Sequence, residues 1–459
     1  MMSSGPAIRR SASLAFLGVL ISGCVHYQPA PVTLDRYPAA LDSRRLEPPP
    51  GGGAWTEADL VAAALDRAPA VLEAAAGYRS AKAAARTARV PPSALLNLTA
   101  EYSKDAGGTS PWLFGYTSEI PLDIGGRRAS RLTSADLTAL QAQYDYGEAV
   151  WSVRMAVRKA VIDRAFADRE TALADRLLQV RRDRFAKLGL RLRAGEDARP
   201  AALTAQVELA AAERRLADAS ARRTQADVAL AKAMGLGPAA LAALNIDPIG
   251  AAPAVPAAAD IASWRTQAAL SRRDVLRAVA GYDKAEAALR LEIAKQYPEV
   301  HIGPGYTWER GVTKLPFTLY LVLPPYDLNR AAIREAEAKR LQAGKALESV
   351  QASALAAVDQ ANAALASAMA GLDLSQRQDL PLARRTESAA LRSLEAGEID
   401  KVDADAAQAA VLDAELTALE GARLAWTALA DLEDALRRPL DTAETAVLQS
   451  AIKRLGNPA

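Results

Sequence analysis

In Leu95-Leu96-Asn97-Leu98-Thr99-Ala100-Glu101-Tyr102-Ser103, the residues from Leu96 onward alternate between apolar and polar. In an extended chain, Leu96, Leu98, Ala100 and Tyr102 would share one face and Asn97, Thr99, Glu101 and Ser103 the other. After a polar, glycine-containing turn at 104–111, Trp112, Phe114, Tyr116 and Ile120 again fall on one face. A second pair of runs follows. Val300, Ile302, Tyr306 and Trp308 oppose His301, Thr307 and Glu309, and Leu315, Phe317, Leu319, Leu321 and Leu323 line one side of the return. Alternation over about ten residues, with aromatics near the turn ends, is the weak signature of a membrane-spanning barrel strand. A water-exposed antiparallel sheet lying on helices alternates identically, so the pattern alone leaves both open.

Outward from these runs the periodicity turns helical. Thr56 caps a helix predicted to reach about Val90, where Pro91-Pro92 stops it. From about Gly126 to Arg193 no proline interrupts a helical stretch that would span roughly 100 Å. Such a helix needs lateral partners along its whole length. Gly195 breaks it, and Pro200 sits where the first turn of another helix belongs. That helix is predicted to run to about Met234, before Gly235-Leu236-Gly237-Pro238. The same order returns as Ala262 to Gln296, Asn329 to Leu394, a break at Gly397, and Lys401 to Arg437.

The return is a duplication. Val71-Leu72-Glu73-Ala74-Ala75-Ala76-Gly77-Tyr78 recurs 204 positions on as Val275-Leu276-Arg277-Ala278-Val279-Ala280-Gly281-Tyr282. Pro121 and Asp123 recur as Pro325 and Asp327, and Ala194-Gly195-Glu196 as Ala396-Gly397-Glu398. Each half must bury its apolar face against something equivalent.

Composition removes several classes of function. A chain of 459 residues exceeds one compact core. A formal charge of +2 gives no electrostatic case for nucleic acid. One cysteine excludes disulfides and CxxC zinc sites, and two histidines exclude a His-rich metal cage. No constellation of acids, nucleophile and base stands out, so no enzyme, cofactor or metal is expected. Arg9 and Arg10, the apolar run Leu14 to Ile21 and Ser22-Gly23-Cys24 form a secretory signal. No other stretch reaches the length of a spanning helix. A proline-rich tether follows, ending in Pro48-Pro49-Pro50-Gly51-Gly52-Gly53.

Three groups of residues carry a family resemblance. Ile21-Ser22-Gly23-Cys24 resembles a bacterial lipobox. Glu119-Ile120-Pro121-Leu122-Asp123-Ile124-Gly125-Gly126-Arg127-Arg128 and Leu323-Pro324-Pro325-Tyr326-Asp327-Leu328-Asn329-Arg330 resemble strand-to-helix junctions, and the two Ala-Gly-Glu tripeptides helical tips. In this order and spacing they resemble the TolC-like outer-membrane efflux family, in particular its lipoprotein branch serving resistance-nodulation-division pumps. The implied fold is mainly α with a β-barrel part. Long coiled-coil helices form a periplasmic tunnel, and four transmembrane strands per protomer close a 12-stranded barrel in a homotrimer. The implied function is the passive outer-membrane duct of a tripartite efflux system. Its partners are a periplasmic adaptor, an inner-membrane pump and outer-membrane lipid, and its localisation is the outer membrane. The rival reading is a structural periplasmic coiled-coil lipoprotein without a pore.

The organisation so predicted is a signal at 1–23, a lipid-anchored tether at 24–55, and a first repeat at 56–240 with its hairpin near 94–122 and tip near 194–199. A connector at 241–260 leads to a second repeat at 261–459, with hairpin near 299–325 and tip near 396–401. The lipobox resemblance makes Cys24 the lipidation residue. The resemblance makes Asp403, beside Asp405, a candidate gate acid. Read from the residues alone, both are acids in a first helical turn, favoured by the helix dipole. Gly195, Glu196, Gly397 and Glu398 are candidate adaptor-docking tips. Arg191 and Arg193 end a basic run that either is a solvated face or meets acids of the other tip. The transported substrate is not written in the sequence.

Overall fold

The computed structural model describes residues 27–46, 53–104, 110–241, 244–309 and 311–456. The predicted signal and Cys24 lie outside these residues. The chain divides after Arg44 into two units. The described part of the first holds helix α1 (Arg36–Ser43). The second carries all other elements.

It opens with α2 (Glu57–Leu65) and α3 (Pro69–Thr87), where the sequence predicts one helix. Pro69 offers no N–H and occupies the first turn of α3, so the chain bends before it. Thr56 and Asp59 cap α2 reciprocally, each side chain accepting from the other's backbone N–H at 3.2 and 3.3 Å. Then come β1 (Leu95–Tyr102), β2 (Trp112–Leu122), the 68-residue α4 (Arg127–Ala194) and α5 (Arg199–Met234). The second set is α6 (Ala258–Ser271), α7 (Arg273–Ala294), β3 (Glu299–Glu309), β4 (Val312–Lys314) and β5 (Phe317–Val322). After it run α8 (Arg330–Leu374), a π turn at Ser375–Asp379, α9 (Leu380–Glu395), α10 (Lys401–Leu436) and α11 (Thr442–Gly456).

Two further differences from the predicted elements have local causes. The helix expected over 262–296 breaks at Arg272, where the Asp274 carboxylate accepts from the Val275 N–H at 3.0 Å and competes with the helical ladder. The return arm of the second hairpin is split, because Pro316 has no N–H for pairing. Both pieces stay on β3, with Thr307 opposite Lys314 and Pro304 opposite Phe317.

The near half of α4 lies between α3 and α7, and its far half between α5 and α10, so two shorter helices follow each other along each side. Small residues make the close seams. Ala205, Ala212, Ala219 and Ala226 of α5 are buried at every seventh position, the spacing that keeps one stripe on a neighbouring helix through a left-handed supercoil. A thicker core sits midway along α4, where Val150, Trp151, Ile162 and Phe166 meet α2, α5 and α11. Each large side chain buried there contributes about 1.5–3 kcal/mol. Through the same region runs a buried ion network. Arg154 binds Glu444 at 2.5 Å and Glu433 at 2.6 Å, and Arg158 binds Glu433 at 2.9 Å and Glu57 at 2.8 Å. Helices α2, α4, α10 and α11 are tied by five charged side chains.

Candidate functional site

The sheet is antiparallel in the order β1-β2-β3, with β4 and β5 both on the far side of β3. Register decides what its two faces carry, since directly opposed residues lie on the same face. Leu98 pairs with Tyr116, Ala100 with Phe114 and Tyr102 with Trp112. Phe114 in turn pairs with Trp308, Tyr116 with Tyr306 and Ile120 with Ile302. Ile302 then pairs with Leu319 and Val300 with Leu321. One face is therefore an apolar band, interrupted on β2 only by Ser118. Trp112 stacks on Phe114 at 5.5 Å between centroids, and Tyr116 on Tyr306 at 6.2 Å. The band is not covered: Leu98 is 78% exposed and Phe317 69%.

The opposite face carries Asn97, Thr99, Glu101, Thr117, Glu119, His301 and Thr307, interleaved with Gly115, Gly303 and Gly305. At its helical end His301 Nδ1 lies 2.7 Å from Glu119, and Arg127, the first residue of α4, binds Glu299 at 2.7 Å. Both strand-to-helix junctions turn through two residues of positive φ, Gly125-Gly126 in one and Leu328-Asn329 in the other. The Asp327 carboxylate holds the second turn by accepting from the N–H groups of Asn329 and Ala331 at 3.0 and 3.1 Å. Neither β1 nor the β4/β5 arm has a partner on its outer edge among the described residues.

At the opposite end of α4, both tips close with the same backbone motif. The Glu196 N–H donates to the Arg191 carbonyl at 3.0 Å and the Gly195 N–H to that of Leu192 at 3.2 Å. In the second tip the Glu398 N–H reaches Ser393 at 2.8 Å and the Gly397 N–H reaches Leu394 at 3.1 Å. These are Schellman caps, and φ values of 79° at Gly195 and 72° at Gly397 explain the residue type. Glu196 and Glu398 are exposed.

Charges bind the tips together. Arg191 pairs with Asp197 at 2.8 Å and with Asp400, the N-cap of α10. Lys187 reaches Asp405 at 2.5 Å, and Arg181 reaches Asp413 at 3.1 Å. Of the two candidate acids, Asp405 is buried and held by Lys187 and Lys401, whereas Asp403 is exposed. Asp405 therefore presents no free carboxylate. Arg193 is exposed and makes no ion pair among the described residues. Sequence reading singled out neither Glu208, which receives both Arg181 and Arg184, nor Asp413. A signal was available for Glu208, which faces the basic run across one helix-to-helix turn, but not for Asp413, whose place depends on how α10 lies along α4.

No helix among the described residues is long and apolar enough to cross a membrane, and none of their acidic, histidine or cysteine clusters could hold a metal ion. The family model for outer membrane efflux proteins matches residues 60–236 and 264–436. The chain belongs to the outer membrane efflux protein family. Several solved structures share this fold. A membrane protein from Pseudomonas aeruginosa is 21% identical, with a TM-score of 0.67, covering 86% of this chain and 96% of its own. The outer membrane protein VceC from Vibrio cholerae is 18% identical at a TM-score of 0.68, covering 84% and 97%. The open state of the Neisseria gonorrhoeae MtrE outer membrane channel is 20% identical at 0.68, covering 84% and 89%. No curated protein matches the chain. In this outer membrane efflux protein, then, the apolar band and the paired tips stand at opposite ends of a TolC-like channel fold.

Proposed function

We propose that three copies of this chain form a passive outer-membrane duct, carrying small molecules or ions from a periplasmic adaptor and an inner-membrane pump to the exterior. The observation that carries this reading is the uncovered apolar band on an open sheet with two free edges. In lipid an unpaired strand edge leaves backbone groups unsatisfied, so β1 of one copy must pair with the β4/β5 arm of the next until the barrel closes. The polar face, with its small glycines, then lines the lumen. The two halves of each chain act as quasi-equivalent staves of one wall, and α4 and α8 extend it as a tunnel through the periplasm.

On this reading the tips are the periplasmic entrance. Gly195, Glu196, Gly397 and Glu398 dock the adaptor. The pairs Arg191–Asp400 and Lys187–Asp405 hold the two tips of one protomer together. Three exposed Asp403 carboxylates around a threefold axis would favour cations in the neck. Lipid on Cys24 would anchor the chain, each buried methylene contributing about 0.8 kcal/mol. The chain performs no covalent chemistry, and the pump supplies the energy. The test is the oligomeric state in detergent together with single-channel recording in planar bilayers. A heat-resistant trimer with discrete currents is expected. A monomer without current would sink the duct and favour the pore-free scaffold.

A further inference from the structure

Most buried or half-buried cations among the described residues meet a carboxylate, and Arg273, in one cleft, does not. The cleft has a volume of about 330 Å³ and lies among α4, α6, α7, the end of α10 and α11. Arg272, Arg273, Arg437 and Arg438 all line it. Two of these charges are compensated: Arg272 pairs with Asp274 at 2.7 Å, and Arg437 pairs with Glu148 at 2.7 Å and also with Asp434. The other two are not. Among the described residues, neither the Arg273 nor the Arg438 side chain has an ion-pair or hydrogen-bond partner.

Arg273 is the more informative of the pair. It is half-buried, and desolvation lowers its affinity for the proton, with the Arg437 charge adding to this and Glu148 opposing it. Glu148 is already engaged by Arg437 and forms no ion pair or hydrogen bond with Arg273. The stem of Arg273 crosses α4 at Gly147, where an added Cβ would stand 2.6 Å from its Cδ and 2.8 Å from its Nε. The glycine thus creates the space in which a guanidinium is held partly away from bulk water without a direct ion pair. At the rim, Arg438 lies 4.8 Å from the centroid of Trp264, which orients a second guanidinium toward the same cleft. Leu276 and Leu436 add apolar wall.

We propose that this cleft binds an organic phosphate, its oxyanion between Arg273 and Arg438 and its apolar body against Trp264 and Leu436. Planar guanidiniums recognise such oxyanions through paired hydrogen bonds, and the volume suits a small ligand or a headgroup. The exposed cations Arg79, Lys82 and Arg86 of α3 make a weaker case. They are exposed to solvent, and no buried, unpaired cation stands among them. The cleft is built by one chain and does not depend on whether that chain conducts.

The same chemistry has two sources, a soluble phosphate monoester or an anionic lipid headgroup, and two measurements on the full-length protein separate them. The first is calorimetric titration in zwitterionic detergent with phenyl phosphate, and with phenol as its uncharged counterpart. The second is native mass spectrometry after reconstitution with phosphatidylglycerol and phosphatidylcholine. For a soluble ligand, phenyl phosphate binds, phenol does not, and affinity falls at least about tenfold in Arg273→Gln and in Arg438→Gln. For a lipid, phosphatidylglycerol is retained selectively and lost in both variants. Arg438 is exposed, so its substitution leaves the fold intact even if loss of Arg273 does not. Gly147→Ala, which must displace Arg273, should reproduce the loss without removing a charge. If neither probe binds, or both charge variants bind like the parent protein, the proposal is overturned.

Discussion

Lys187 Nζ lies 2.5 Å from Asp405 Oδ2, joining residues 218 positions apart in sequence. The other Asp405 oxygen is 3.1 Å from Lys401. Lys187→Met would leave a buried carboxylate with one partner and should cost about 1–3 kcal/mol, read as a lower denaturation midpoint. If the pair also keeps the entrance shut, single channels of this variant will stay open longer. A variant with parental stability and gating would show the contact to be incidental.

Asp403 stands two residues away on the same helix, exposed, with its backbone N–H bonded to Asp400 at 3.0 Å. Asp403→Asn keeps this cap and removes the charge. Reversal potentials in a salt gradient should move toward zero cation preference. An unchanged potential would take Asp403 out of the neck.

The two sheet faces predict opposite tolerances. Leu98→Arg puts a cation on the apolar band and should disfavour insertion by about 2–4 kcal/mol near the bilayer midplane. Thr99→Arg, one residue on, puts it on the polar face and should insert normally. Recovery of heat-resistant oligomer from membranes distinguishes the two. Equal recovery would mean that the band does not face lipid.

Glu444 makes stability depend on pH. Three carboxylates, Glu57, Glu433 and Glu444, share two guanidiniums, and burial is the largest cause pushing the Glu444 carboxyl up from 4.5 to about 7. The folded chain therefore holds a proton that the unfolded chain releases earlier. This contribution is fully present below about pH 4.5 and is lost as pH rises through about 7. The melting temperature should fall between pH 5 and 8 in the parent protein and fall less in Glu444→Gln. Parallel curves would assign the dependence to other groups.

What could be read in the sequence was whatever repeats. Period-two alternation from Leu96 is a property of one segment and needs no knowledge of its neighbours. The limits of α4 follow from Gly126 and Gly195, whose backbone angles only glycine adopts freely. Pro69 and Pro316 were visible too, but how the chain meets a missing N–H depends on its neighbours. One bends a helix and the other splits a strand arm. The tip ion pairs were half legible. A basic run says that acids are near, but which acids depends on how α10 lies along α4. Helix α11 was not foreseen, because its burial rests on Glu444 and Leu448 meeting partners over 280 residues away.

The π turn at Ser375–Asp379 shifts a reading frame. Upstream, α8 turns Ala354, Val358, Ala361, Leu365, Leu372 and then Ser375 inward. Continued unchanged, that frame would next choose Asp379, Leu382 and Thr386. The residues less exposed than their neighbours are instead Leu380, Ala383, Glu387, Ala390 and Leu394, each one step later. One extra residue has been absorbed, worth about 100° of azimuth, and the seam stays on α10. Pro381 explains why: it has no N–H for the carbonyl four residues back, and the wider turn accommodates that gap. Length and composition are therefore linked here. Deleting one of residues 376–379 would restore a uniform helix only if Pro381 were replaced as well; either edit alone leaves the stave out of step.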